Sequence, residues 1–273
     1  MTAETEVSSQ PVVLERLEGG VLTLTLNRPE RLNALNAALT QALSAAIGRA
    51  AADADCRAVL ITGAGKGFCS GGDLADRAMA TGGARPDLGQ SLDKGINPLI
   101  RALRALPKPV VCAVNGAAAG AGANLALACD IVLAAKSAEF RQAFVRVGLI
   151  PDAGGTFHLP RLIGEARARA LMMLGDPIGA EAAEASGMIY RAVDDQDLMG
   201  EASVVAERLA GGATRALGLI KRALLASPGN GLDAQLDLER DLQREAGAGD
   251  EFAEGARAFL DKRPANFRRK PAG

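Results

Sequence analysis

The sequence predicts an α/β core followed by an all-helical C-terminal part. Three observations carry this. Short, almost wholly apolar runs at Ala58 to Thr62, Val110 to Val114 and Ile131 to Ala134 have the length and content of buried strands. Segments of helical spacing lie between them, the alternation of a sheet with at least some parallel pairing. After about residue 195 only helical periodicity remains, over 198–210, 214–226, 231–246 and 251–262. The division expected is a core over 11–195, a helical region over 196–265, and loose tails at 1–10 and 266–273. With 48% hydrophobic residues the 273-residue chain can bury a large core. Aromatics are 3% and Trp is absent, so that core is built from Ala, Leu, Val and Ile.

The elements follow in order. Val12 to Leu17 and Val21 to Leu26 flank Glu18-Gly19-Gly20, and the second run alternates strictly, which reads as a hairpin. Asn36 to about Ala54 is Ala/Leu-rich at helical spacing, with Asn36 suited to be its N-cap. The strand at Ala58 to Thr62 runs into a Gly-rich loop, Gly63 to Gly72. Residues 78–90 are poorly patterned and read as a loop. A helix is expected over Leu99 to Leu106, with Asn97 as N-cap, Pro98 at its first position and Pro107 and Pro109 beyond its end. Val110 to Val114 leads into the small-residue run Asn115 to Gly122 and then a helix through Leu125 and Ala128. Ile131 to Ala134 is the third core strand.

Composition excludes several classes of function. Formal net charge is −1 with the signs mixed, so no basic field for nucleic acid exists. His158 is the single histidine, which all but excludes a His-based metal site. Cys56, Cys69, Cys112 and Cys129 form no C-x-x-C pair and read as reduced, buried small residues. The N-terminus lacks an apolar h-region, and no apolar run reaches the length of a membrane span, so a cytoplasmic protein without a membrane partner is expected. No permanently bound cofactor is expected either.

Familiar motifs fail one by one. Gly63-Ala-Gly-Lys66-Gly67 lacks the Ser or Thr and the earlier Gly of a P-loop. The dinucleotide fingerprint G-x-G-x-x-G ends on Phe68 from Gly63 and on Leu125 from Gly120. Ser70 is not in a nucleophile elbow, and one histidine makes a Ser-His-Asp triad improbable. Two strand-to-glycine-loop units survive, Ile61 through Leu74 and Val110 through Leu125. Runs without bulky side chains leave backbone N–H groups accessible, and two such donors converging on one point would form an oxyanion hole. The alternative is that Gly and Ala merely permit close packing.

Read together, these loops resemble the paired signatures of the enoyl-CoA hydratase/isomerase (crotonase) superfamily. The resemblance starts at Leu24-Thr-Leu-Asn-Arg-Pro-Glu-Arg-Leu-Asn-Ala-Leu35 and continues through Phe68-Cys-Ser-Gly-Gly-Asp-Leu74. It includes Ala113-Val-Asn-Gly through Ala128-Cys-Asp-Ile131 and ends with Gly148-Leu-Ile-Pro-Asp-Ala-Gly-Gly-Thr156. It implies a spiral of ββα turns, a helical C-terminal trimerisation region, and a homotrimer or dimer of trimers acting on an acyl-CoA. It places the oxyanion donors at the N–H groups of Gly72 and Ala121. It puts Arg31, Leu32 and Ala34 along the CoA, and Ser70, Gly71, Asp73, Leu74, Asn124 and Phe144 around the bound substrate. Basic residues near Phe259 and Lys262 would either reach a neighbour's CoA phosphates or simply form a solvated helix end.

Hydratases of the superfamily use two glutamates. The matching positions here hold Asn124 and Phe144, neither of which can move a proton near neutral pH. Asp152 is the one acid in the right neighbourhood. Its residue type also suits an N-cap or an Asx turn, while its position matches the aspartate that some superfamily isomerases use as acid/base. One base suffices to move a proton between two carbons; hydration also needs an activated water. The expected activity is therefore that of a CoA-thioester isomerase. The stretches Gly116 to Ala123, Ala143 to Asp152 and Leu232 to Gln243 resemble the epoxyphenylacetyl-CoA isomerases of phenylacetate degradation, which implies ring-epoxide conversion or a double-bond shift. Phe144 would then be an apolar wall beside the acyl group, or plain core packing. His158 is expected in a structural or surface role. A weak hydratase and a catalytically silent CoA-binding subunit are the alternatives.

Overall fold

A computed structural model describes residues 10–73 and 87–268. Leu74, most of the 78–90 segment, residues 1–9 of the first tail and residues 269–273 of the last lie outside these described residues.

The hairpin forms as expected. Strands β1 (Val13–Glu18) and β2 (Val21–Leu26) pair antiparallel around Gly19 and Gly20, with φ of 56° and 82°. Positive φ at both central residues is the two-residue turn whose twist matches its strands. Helix α1 (Ala37–Ala52) starts where Asn36 accepts from the Leu39 N–H at 2.9 Å. Its C-terminal carbonyls at Ala50 and Asp53 take the buried ammonium of Lys108, a cation placed at the negative end of the helix.

Strands β3 (Ala58–Gly63), β5 (Val110–Val114) and β7 (Ile131–Ala135) continue β2 as a parallel sheet, which β10 (Arg191–Val193) closes. Near-complete burial explains the continuous apolar runs of β3, β5 and β7: both faces of these inner strands are covered, whereas the edge strand β1 is largely exposed. A second sheet, absent from the expectation, runs β4 (Gly67–Cys69), β6 (Ala117–Ala119), β8 (Glu139–Arg141) and β9 (Pro177–Gly179). The two glycine-rich runs thus each contain a short strand. The chain alternates between the sheets: β3 then β4, β5 then β6, β7 then β8, with helices after each pair. That repetition is the expected spiral of ββα turns.

Two boundaries need correction. Leu88 to Gln90 do not belong to a loop: α2 (Leu88–Lys94) begins there, with Asp87 accepting from the Gln90 N–H at 2.9 Å. The next helix, α3 (Ile96–Ala105), starts earlier than expected, and Gly95 rather than Asn97 precedes it. Gly95 ends one helix and starts the next, so no side-chain cap is needed. Pro98 still falls in the first turn, where its missing N–H costs nothing.

Helix α4 (Ala121–Leu127) follows β6 directly. After it come α5 (Gly155–Ile163), α6 (Glu165–Leu174) and α7 (Ala180–Ala185). The C-terminal region is α8 (Leu198–Gly211), α9 (Thr214–Ala226), α10 (Leu232–Gly247) and α11 (Asp250–Leu260). Helix α8 packs on the large sheet through the buried Ala202, Ala206 and Ala210, and Arg57 caps it by donating to the carbonyls of Ala210 and Gly212. Helix α9 docks beneath the sheet. A Cβ on Gly218 would lie 2.5 Å from the Pro107 carbonyl oxygen, so the helix can approach that closely only without one. One turn further on, Lys221 is buried and bonds Asp130 at 2.8 Å. The four cysteines are free and buried, as expected. Among the described residues no helix is long and apolar enough to cross a membrane, and no group of His, Cys, Asp and Glu is arranged to hold a metal.

Candidate active site

The site lies at the C-terminal ends of β2, β3 and β5, where parallel strands deliver their loops. Residues 28–35 run across the mouth of the loop at 63–73 and are sewn to it. The Ser70 N–H donates to the Leu32 carbonyl at 2.9 Å and the Ser70 hydroxyl to Arg31 O at 3.3 Å. The Leu35 N–H donates to Gly71 O at 2.7 Å, and the Asp73 N–H to Leu35 O at 3.0 Å. These last two bonds form a parallel bridge between Leu35 and Gly72. In such a bridge the bonds go to the residues flanking Gly72, so its own N–H and C=O point the other way, off the Leu35 side.

Side chains hold this arrangement. Arg28 donates to Asp73 Oδ2 from both terminal nitrogens at 3.1 Å, with the two side chains only 12% and 7% exposed. It also donates to the Ala34 carbonyl. Asn33 is wholly buried at φ 55°, donates to the carbonyls of Ala64 and Gly67 at 2.9 Å each, and accepts from the Arg28 N–H at 2.8 Å. Asn115 performs a similar service between the two loops, accepting from Gly63 N at 3.1 Å and donating to Gly65 O at 3.0 Å. Sequence reasoning missed Arg28, Asn33 and Asn115 as site-building residues. Their signal is a polar residue beside a glycine-rich turn, which many surface loops share.

The second loop packs backbone to backbone against the first. A Cβ on Gly116 would lie 2.1 Å from Lys66 O, and one on Gly122 would lie 2.2 Å from Cys69 O. Close packing is therefore a real requirement at these glycines. It is also what brings the two loops together: a Cβ on Gly71 would lie 3.5 Å from the Ala121 nitrogen. Ala121 is the first residue of α4, where an N–H has no partner within the helix. Gly72 and Ala121 line one cavity of about 390 Å³, together with Leu35, Asp73, Lys94 and Ile96. Thr40, Gln41 and Ser91 also line it, none of them expected from sequence. A larger hollow of about 630 Å³ lies between α9 and α10 and touches neither loop.

Of the other expected site residues, Arg31 and Leu32 are exposed on the outer side of the seam, and Ala34 is buried within it. Phe144 is buried in the short 3-10 turn Ala143–Val147, its ring edge 3.5 Å from where a Gly120 Cβ would stand. It thus covers the residue just before Ala121. Asn124 lies one turn beyond Ala121 on the same helix face, wholly buried. Its amide donates to the Asp152 carbonyl at 2.8 Å. Asp152 itself is half-buried. Its carbonyl also accepts from the Gly155 N–H at 2.9 Å, while Gly154, at φ 81°, is the N-cap of α5. The N-cap alternative for Asp152 is thereby removed. His158 is buried against Gly154 and edge-on to Phe157 at 5.3 Å. Burial, with Arg104 and Arg161 nearby, pushes its pKa down to about 4, so its ring is neutral near pH 7.

The arrangement offers two amide donors at one cavity, an apolar ring beside one of them, and a carboxyl residue tied to the helix that carries it. Known proteins resemble this chain in sequence and fold. A profile of the enoyl-CoA hydratase/isomerase family matches residues 16–270. The chain is 52% identical over 255 residues to the 1,2-epoxyphenylacetyl-CoA isomerase of Escherichia coli (strain K12), covering 93% of this chain and 97% of that protein. It is 50% identical over 248 residues to a Rhodobacter capsulatus protein named "Probable enoyl-CoA hydratase", covering 91% and 94%. A crystal structure of an enoyl-CoA hydratase from Polaromonas sp. JS666 superposes with a TM-score of 0.88 at 38% identity, covering 93% of this chain and 98% of that one. The chain belongs to the enoyl-CoA hydratase/isomerase family and is an enzyme of the crotonase superfamily.

Proposed function

We propose that this enzyme isomerises a CoA thioester, of the ring-epoxide phenylacetyl class named for the Escherichia coli relative or an enoyl-CoA whose double bond is moved. The observation that carries the reading is the pair of positions 124 and 144. An amide already committed to the Asp152 carbonyl and a phenyl ring stand where hydration would need two acids.

The thioester oxygen sits between the N–H groups of Gly72 and Ala121, and Asp152 faces the acyl chain. Asp152 takes a proton from C2, and the electron pair of that C–H bond moves onto the thioester oxygen, where the two amides hold the enolate. For a double-bond shift, the pair returns through the carbon chain as Asp152 gives the proton to C4. One C–H bond breaks and one forms, nothing is oxidised, and no water is consumed. Ring-epoxide isomerisation likewise leaves the atom inventory unchanged and asks the same of the amides and Asp152. Arg31, Leu32, Ala34 and Ser70 lie along the CoA in this reading, and Phe144 walls the acyl group.

The test is turnover of a 3-enoyl-CoA and a ring-epoxide phenylacetyl-CoA by wild type and Asp152→Asn. The substitution is expected to lower kcat by about 10²- to 10⁴-fold. Full turnover by the variant with unchanged substrate affinity overturns the role of Asp152. The name of the Rhodobacter capsulatus relative favours a second reading, hydration of enoyl-CoA. It predicts that crotonyl-CoA loses its conjugated absorbance, and no change at high enzyme concentration eliminates it. If CoA thioesters bind but none turns over, the chain is a silent binding subunit.

The assembly proposed is a homotrimer or dimer of trimers. Leu224, Phe259 and Leu260 of the C-terminal helices are 66%, 83% and 78% exposed, apolar surface that association would cover. A monomer by light scattering at micromolar concentration contradicts it.

A further inference from the structure

Asn124 occupies a position from which a side chain could face substrate, yet both ends of its amide are engaged with protein. Its NH2 donates to the Asp152 carbonyl, and its oxygen accepts from Gln142 Nε2 at 2.8 Å. The directions are forced. A main-chain carbonyl only accepts, so residue 124 presents its NH2 to Asp152 and its oxygen to Gln142, and Gln142 answers with its own NH2.

Gln142 is 2% exposed, and its Oε1 is buried without a hydrogen-bond partner among the described residues. An unpaired buried acceptor is destabilising, so the Gln142 amide is held at a cost and its use lies in the bond it donates. The loop beyond Asp152 rests directly on Asn124, because a Cβ on Gly155 would lie 2.3 Å from Asn124 Nδ2. The neighbouring Arg141 carbonyl accepts from the Gly120 N–H at 2.8 Å. The end of β8 therefore fixes both the residue before the Ala121 donor and, through Asn124, the main chain of Asp152.

We propose that Gln142 is a positioning residue for the isomerisation: it orients Asn124, which pins the Asp152 main chain and so places the Asp152 carboxyl relative to the two amide donors. The proposal rests on the reading of Asp152 as the acid/base. It reassigns Asn124 from substrate contact to strut. It also means that a glutamate at 124 sets a carboxylate against the Asp152 carbonyl, acceptor against acceptor. Asn124→Glu therefore displaces the acid/base instead of supplying a second one.

The experiment is a double-mutant cycle on the full-length enzyme with a 3-enoyl-CoA substrate. Gln142→Met keeps the length of the side chain without its donor. It is expected to lower kcat about tenfold or more with KM unchanged, and to move the acid limb of the kcat–pH profile. Combined with Asp152→Asn, it is expected to cause no further loss. Gln142→Glu keeps the shape and, once ionised, faces the Asn124 oxygen with an acceptor, so it should reproduce the loss at high pH if Gln142→Met does not fold. Wild-type kcat and pH profile in both Gln142 variants, while Asp152→Asn abolishes turnover, overturn the proposal and leave the role of Asp152 intact. So does a Gln142 loss that adds in full to that of Asp152→Asn. Failure of both Gln142 variants to fold makes Gln142 a folding residue and overturns it too. Full activity of Asp152→Asn alone removes the parent reading instead.

Discussion

Two partly buried ion pairs sit at opposite ends of the same sheet and do different work. At the C-terminal end of β2, Arg28 grips Asp73, the residue after Gly72. At the N-terminal ends of β5 and β7, Lys221 from α9 grips Asp130, whose Oδ2 also accepts from the Val110 N–H at 2.8 Å. Each pair has one partner whose side chain is only 7% exposed, Asp73 in the first and Lys221 in the second, and removing the opposite partner would leave that charge unpaired at a cost. One secures the path of a loop whose amide faces a cavity. The other fastens a helix. What such an ion pair contributes is thus set by which piece of backbone it holds, and the parallel sheet assigns the ends: loops for ligands at the carboxyl ends of its strands, docking at the other.

Perturbing the two ends should separate activity from stability. The largest effect is expected from Ala121→Pro. Proline is tolerated in the first turn of a helix but has no N–H, so kcat should fall by about 10²- to 10³-fold while the thermal midpoint changes little. Steady-state kinetics beside a thermal melt checks this, and an active variant removes the amide at 121 from the mechanism. At the far end, Lys221→Met removes the ion pair with Asp130 and the bonds that Lys221 donates to the Leu103 and Lys108 carbonyls, and should cost about 1–3 kcal/mol in urea unfolding, with kcat of the folded enzyme unchanged. A fall in kcat would show that the ends communicate.

Asp73→Asn should do some of both. The lost charge weakens the grip of Arg28, at a cost of about 1–3 kcal/mol, and kcat should drop about tenfold as the Gly72 amide shifts. A variant with reduced stability and normal kcat would make the two ion pairs equivalent and dissolve the comparison. The smallest effect concerns His158. Its pKa is about 4 in the fold against the ordinary 6.5, so between these values the unfolded chain takes up the proton first. The stability from keeping this ring neutral is full above pH 6.5 and is lost as pH falls toward 4. His158→Gln should flatten the pH dependence of the midpoint across that window, and an unchanged slope would assign it to other groups.

The large sheet was legible because its strands are continuous apolar runs, and α1 because Asn36 announces it. The small sheet was not. Strands of three residues such as Ala117–Ala119 are too short to show a period, and Gly and Ala report neither strand nor helix. The positions proposed for the two donors and for the acid/base could be reached by motif order. The residues that hold them could not: Arg28 and Asp73 are separated by 45 positions, and nothing in either neighbourhood names the other. Gln142 was invisible for a related reason. Its partner, Asn124, stood out only for lacking a charge, and a missing carboxylate does not reveal that an amide is needed. The start of α3 was misplaced because the short helix before it, ending at Lys94, left no polar cap to read.

The amide at Ala121 is part of the chain's path, and every amino acid except proline carries one. Random mutation at that codon therefore has few ways to delete the donor, and the codon can drift among small residues without losing it. In the reaction proposed above, variation that alters the chemistry falls instead on side chains around it, at 124, 142, 144 and 152. Under that proposal, a lineage built on this loop can change which proton it moves while the electrophilic half of its machinery stays beyond the reach of most point mutations.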